Sequence, residues 1–134
     1  MNKKRDMDLI RSILLDIENG KDWFETTSDD TADALGIDGT GLSEADTERL
    51  EYHLTLLENG GFAEFTKTGE GWIPERLTWK GHDFADSVRD EEIWRRTKEG
   101  ANAAKGFTVD LLGALAKGFV KKQIEDRTGI ALDL

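Results

Sequence analysis

Two amphipathic helices, the second closed by Asn59-Gly60-Gly61, are followed by a short hairpin pattern and a further helix. That order predicts an α+β fold, a winged-helix-like domain with a two-stranded β-hairpin wing and an additional C-terminal helix. A chain of 134 residues suffices for one domain with a real core and is short for two. The expected organisation is a winged-helix-like domain over 1–99, a flexible joint over 100–107, and an amphipathic helix with its tail over 108–134.

The first helix follows Asp6, whose carboxylate can cap it. Leu9, Ile10, Ile13, Leu14 and Ile17 recur at three-and-four spacing on one stripe. Asn19-Gly20 ends it, because glycine accepts the left-handed conformation a helix terminus needs. Residues 21–42 predict a short strand around Trp23–Thr26 and then an acidic loop, with Leu35 and Ile37 in a second short strand or an inward-packing turn. The middle helix of a three-helix winged domain is either compressed into 29–41 or absent. Ser43 opens the second strong helix, with Asp46 three residues on, and Leu50, Leu54 and Leu57 form its buried stripe.

The period then changes. Phe62–Lys67 and Trp72–Thr78 alternate as strands around Thr68-Gly69-Glu70-Gly71. Ile73, Leu77 and Trp79 fall on one face, and Pro74, which lacks an N–H, belongs at an edge. Thr78 can cap a helix over Trp79–Val88 with Phe84 and Val88 inward. Asp90 starts another turn carrying Ile93 and Trp94. Thr108 caps the last helix, whose apolar positions are Val109, Leu112, Leu115, Phe119 and Ile124. Gly113 and Gly118 weaken it by roughly 1 kcal/mol each relative to alanine, so the helix needs a surface to lie on, its own core or a second copy. Trp72, Trp79 and Trp94 are expected as core, and Trp23 as the exposed aromatic.

Composition removes several function classes. The absence of cysteine excludes disulfides, zinc ribbons and thiol chemistry. MNKKRDMDLIR has no apolar run of signal-peptide length, and Lys117 interrupts the apolar stretch Leu111–Phe119, so a cytoplasmic protein without a membrane span is expected. The net charge of −10 is unevenly placed: zero over 1–19, −9 over 20–60, −4 over 61–94 and +3 over 95–134. Such asymmetry bears on partners rather than on fold.

The strings KRDMDLIRSILLDIE (4–18), YHLTLLENGGFAE (52–64) and RLTWKGHDFADSVRDEEIW (76–94) resemble the family called domain of unknown function 2513. That resemblance implies a winged-helix-like fold and an origin in bacteria, their phages or prophages. It implies no activity and no functional residue. Residues 20–42 and 100–134 look less like the family.

No catalytic, cofactor-binding or metal-ligating residue is expected, and no enzyme. His82-Asp83 lacks a third ligand at recognisable spacing, and His53 reads as a hydrogen-bonded packing residue. GIDGTG lacks the lysine of a phosphate loop, and no nucleophile elbow occurs. Asp29, Asp30, Asp33 and Asp38 miss the register of a calcium loop.

Two binding readings remain. An acidic face of Asp29, Asp30, Asp33, Glu44, Glu48 and Glu51 would meet a basic protein partner, unless the charge serves only solubility. A transcriptional regulator would instead contact DNA through Lys67, Arg76, Lys80, Arg95, Arg96 and Lys98. Charge disfavours it, because residues 43–59 carry a net −4 where a recognition helix would face phosphates. Leu112, Leu115 and Phe119 are the candidate residues for self-association as a homodimer.

Overall fold

Asp6, Ser28, Ser43, Asp90 and Thr108 each turn a side-chain oxygen onto a backbone N–H three residues ahead and so open five of the helices. A computed structural model describes residues 3–106 and 108–132. Its elements in chain order are α1 (Met7–Glu18), β1 (Phe24–Glu25), α2 (Asp29–Ala34), α3 (Glu44–Asn59), β2 (Ala63–Lys67), β3 (Gly71–Leu77), α4 (Trp79–Val88), α5 (Glu91–Ala104) and α6 (Val109–Thr128). The fold is α+β, with a three-stranded antiparallel sheet in the order β1-β3-β2. The chain divides into two compact units, Met1–His82 and Asp83–Leu134.

In the first unit α1 buries Met7, Ile10, Ile13 and Leu14, while Leu9 and Ile17 flank the stripe half-buried. Fully burying such side chains contributes about 1.5–3 kcal/mol each, far more than the intrinsic propensity of a twelve-residue helix. α3 buries Thr47, His53, Leu54 and Leu57. It ends at Gly60, and Gly61 takes φ +79°, a conformation that L side chains rarely adopt. Within 29–41, where the sequence predicts a middle helix either compressed or absent, lies the six-residue α2, which gives the order helix, strand, helix, helix, strand, strand. Leu35 caps the C-terminal end of α2 and is 65% exposed, and Ile37 is 45% exposed. These two therefore form neither a second strand nor an inward-packing turn.

The hairpin is closed by Thr68. Its N–H donates to the Gly71 carbonyl at 2.8 Å, and its Oγ1 accepts from the Gly71 N–H at 3.0 Å. β3 is the middle strand, yet Pro74 is tolerated there because β1 pairs only with Gly71 and Trp72. Past Trp72 one side of β3 is free of a partner strand, and a shift of register between Glu64 and Phe65 accommodates the proline opposite Phe65. The aromatic centre is Trp72, buried, with Phe65 edge-on at 5.4 Å and Phe65 in turn edge-on to Phe24 at 6.4 Å. Trp79 corrects the sequence reading. It opens α4, as the cap at Thr78 predicts, but it stands 85% exposed instead of joining the core. Trp23 is half-buried, its indole N–H donating to Glu25 Oε2 at 3.1 Å.

In the second unit Phe84, Ala85 and Val88 of α4 are buried. α5 buries Ile93, Trp94, Thr97 and Ala101 on one stripe, with the Thr97 hydroxyl donating to the Ile93 carbonyl at 2.7 Å. The expected joint over 100–107 is helical as far as Ala104, and Ala101 is fully buried. Lys105 ends α5 in the left-handed region at φ 55°. Phe107 lies outside the described residues. α6 packs on α5: Leu112 and Ala116 are buried, and a Cβ placed on Gly100 would touch Leu115 at 3.4 Å.

Candidate functional site

α2 and α3 carry the acidic residues. Asp29 Oδ1 accepts from the N–H groups of Thr40 and Gly41, at 2.7 and 2.8 Å, while the Thr40 hydroxyl donates to the Thr27 carbonyl at 2.7 Å. Asp29 thus fastens the loop between α2 and α3 through one carboxylate oxygen. Asp30, Asp33, Glu44, Glu48 and Glu51 are exposed, and no ion pair neutralises them among the described residues. Glu44, Glu48 and Glu51 lie at helical spacing on one stripe of α3. Arg49, the only cation of that helix, is committed to an ion pair with Asp6. The arrangement offers exposed negative charge on two side-chain-capped helices.

The candidate DNA contacts are placed differently. Lys67 lies over the Trp72 ring at 4.5 Å, Arg76 pairs with Glu64 at 2.8 Å, and Lys80 lies over the Phe62 ring at 4.4 Å while donating to the Gly60 carbonyl at 3.2 Å. Those three belong to the first unit. In the second unit Arg95 bridges Glu92 and Glu99 at 2.5 Å each, Arg96 pairs with Glu92 at 3.1 Å, and Lys98 lies 5.9 Å over the Trp94 ring. Every cation proposed for phosphate already has a partner in its own chain, and four of these partners are carboxylates or carbonyls that a phosphate would have to displace.

The two guanidinium groups hold the Glu92 carboxyl down from the usual 4.5 to about 2, chiefly through the hydrogen bond from Arg95, and the same pairing raises Arg95. A depressed carboxyl contributes stability above its unfolded value and loses it as pH falls through the folded one. The contribution of Glu92 is therefore expected to be complete above about pH 4.5 and to be lost progressively as pH falls from there to about 2. Carbon-detected NMR titration of the Glu92 carboxyl checks this: a midpoint near 4.5 would mean that the pairs do not form in solution.

The remaining sequence candidates fall into structural roles. His53 is buried, its Nε2 accepting from the Asp6 N–H at 2.8 Å and its Nδ1 lying 2.8 Å from the Arg49 carbonyl. His82 is exposed and lies 3.5 Å from Glu18. Among the described residues no three histidine, aspartate or glutamate side chains gather as a metal site. Leu112, offered for self-association, is fully buried within its own unit, and Leu115 and Phe119 are half-buried beside α5. Of the three, Leu112 is the one fully engaged in packing within its own unit. Trp79 is the exposed aromatic that sequence reasoning missed. The cap at Thr78 places it as the first residue of a helix, and that position takes precedence over the strand alternation of Ile73 and Leu77.

A family model described as "Hypothetical protein (DUF2513)" matches residues 4–108. The chain belongs to this family. The DUF2513 match spans the first unit from Lys4 onward and continues through α5, with α6 beyond it. An "Uncharacterized protein" of Haemophilus influenzae (strain ATCC 51907 / DSM 11121 / KW20 / Rd) is 32% identical over 112 residues, which cover 81% of this chain and 84% of that protein. No solved structure matches. The three strings that carry the DUF2513 resemblance sit where this fold turns: the capped start of α1, the glycine stop between α3 and β2, and the passage from β3 into α4. They mark how the fold is made. No helix of the described residues is long and apolar enough to cross a membrane.

Proposed function

We propose that this DUF2513 chain is a non-enzymatic binding module, of winged-helix type in its first unit, that works by protein–protein interaction. The observation that carries the reading is the contrast in pairing. The carboxylates of Asp30, Asp33, Glu44, Glu48 and Glu51 have no ion pair among the described residues, whereas the cations suited to DNA are engaged. A basic partner meeting this face gains association rate through electrostatic steering. A nucleic acid meeting it is repelled, since phosphate neutralisation supplies most nonspecific affinity. A phage or prophage origin, which the family resemblance implies, makes a basic nucleic-acid-binding protein of the host cytoplasm a fitting partner.

Labelled random-sequence duplex DNA, titrated with the protein at about 50 mM and about 200 mM salt, tests the choice. No binding is expected at either concentration. Affinity capture is then run with the wild-type chain and with a variant carrying Asp30→Asn, Asp33→Asn, Glu44→Gln, Glu48→Gln and Glu51→Gln. The expected result is a basic protein retained by the first and lost by the second. DNA binding that weakens with salt, and is lost when Lys67, Arg76, Arg95 and Arg96 become alanine, would replace this reading with that of a regulator.

A further inference from the structure

A cavity of about 440 Å³ opens in the second unit between the first turns of α5 and the C-terminal half of α6. The two helices run antiparallel, since Gly100 lies against Leu115 while Ile93 and Phe119 line the cavity together. Near Leu112 and Ala116 the seam is closed by apolar packing. Further along α6 the same stripe passes through Phe119 to Lys122, Asp126 and Arg127, side chains that prefer water, and the seam opens.

The lining has two parts. Ile93, buried, and Phe119, half-buried, give an apolar floor. The rim holds the cations Arg96, Lys122 and Arg127 against the carboxylates Glu92 and Asp126, an excess of one positive charge on a chain whose net charge is −10. Glu92 is already spent, because Arg95 and Arg96 both donate to it. Arg96 uses its Nε on Glu92, which leaves its outer N–H groups available. Lys122 and Arg127 have no ion pair among the described residues.

We infer that this cleft binds a small amphipathic anion, a molecule with an aromatic or alkyl body and one carboxylate, sulfonate or phosphate group. The apolar body covers Ile93 and Phe119, and the anionic group meets Lys122 and Arg127 with Arg96 behind them. A fork of guanidinium donors beside an ammonium suits such a head group. One excess charge favours a monoanion over a polyanion, and Asp126 works against any anion at all. Pockets of roughly this volume take small ligands when an apolar lining is joined by a few convergent polar groups. The inference does not depend on the acidic face of the first unit.

The probe is 1-anilinonaphthalene-8-sulfonate, which carries an aromatic body and one sulfonate, titrated into the full chain by fluorescence and by two-dimensional NMR. Saturation at one equivalent is expected, with amide shifts concentrated in residues 92–96 and 119–127. Lys122→Gln combined with Arg127→Gln is expected to weaken binding at least tenfold. Asp126→Asn is expected to tighten it several-fold, a gain that misfolding could not produce. Lys117→Gln, on exposed α6 surface away from the cleft, should change nothing. Inorganic phosphate should compete only far more weakly, since it lacks the body. Equal affinity across these variants, or shifts centred elsewhere, would overturn the inference, and so would phosphate competing as well as the sulfonate.

Discussion

Replacing Gly81 with alanine is expected to lower the stability of the protein by about 3 kcal/mol, the upper range for forcing atoms into a packed site. At an ordinary helix position the same change would gain roughly 1 kcal/mol, because alanine is the better helix former. The sign is reversed here by what a Cβ would meet. Gly81 is the third residue of α4, and the new methyl would run into the carbonyl of Phe62 and lie 3.4 Å from Leu77 Cβ. The obstacle is backbone and cannot rotate away. It is also held in place: the Phe62 carbonyl accepts from the Thr78 N–H at 3.0 Å, and the Thr78 hydroxyl donates to the Gly61 carbonyl at 2.5 Å. Shifting α4 outward would break the junction between the hairpin and the helix. Urea unfolding checks the prediction, with Gly69→Ala as the control. A Cβ at Gly69 would meet open space, so that variant should stay within about 0.5 kcal/mol of the parent. Equal midpoints for the two variants would show that the close approach does not exist.

His53→Leu is expected to cost about 1–3 kcal/mol, the penalty for leaving a donor without a partner. Leucine is close enough in size that packing alone would predict a small change. The loss comes from the Asp6 N–H, which donates to Nε2 across 47 residues of sequence. Because Nε2 must accept that bond, the ring proton sits on Nδ1 and is donated to the Arg49 carbonyl. Arg49 also reaches back to the Asp6 carboxylate, while that carboxylate caps α1 by accepting from the Leu9 N–H at 3.1 Å. The start of α1 is therefore tied to α3 through both groups of one residue. His53→Gln, which keeps an acceptor, should recover part of the loss. Amide hydrogen exchange at Asp6 should accelerate in the leucine variant more than at the centre of α1. An unchanged exchange rate would remove the coupling role from His53.

Much of this arrangement was legible in the sequence because it depends on local chemistry. The caps Asp6, Ser43, Asp90 and Thr108, the glycine stops after α1 and α3, and the hairpin at 68–71 are decided by residues adjacent in the chain. Legibility failed where a residue could continue either of two patterns. Trp79 extends the strand alternation of Ile73 and Leu77, but the cap at Thr78 has already begun a helix and turned the ring outward. Residues 100–104 read as a joint from their glycine and small side chains, yet small side chains are what two helices need to approach closely, as Gly100 does against Leu115. The acidic stretch was visible as composition, but that Asp29 holds its own loop while Asp30 and Asp33 stand free was not.

The sequence by itself determined the class of the fold, the extent of most helices and the sign of the surface over 20–60, because propensity, capping and charge act within a few residues. Only the tertiary structure decided which charges are spent. Arg49 and Arg76 look available in one dimension, yet each is closed by a carboxylate, Asp6 lying 43 residues from Arg49 and Glu64 on the neighbouring strand from Arg76. The opening of the α5–α6 seam into a cleft was settled at the same level. Whether two stripes meet as packing or as a cavity depends on which side chains face each other, and that is fixed only when the helices are placed side by side.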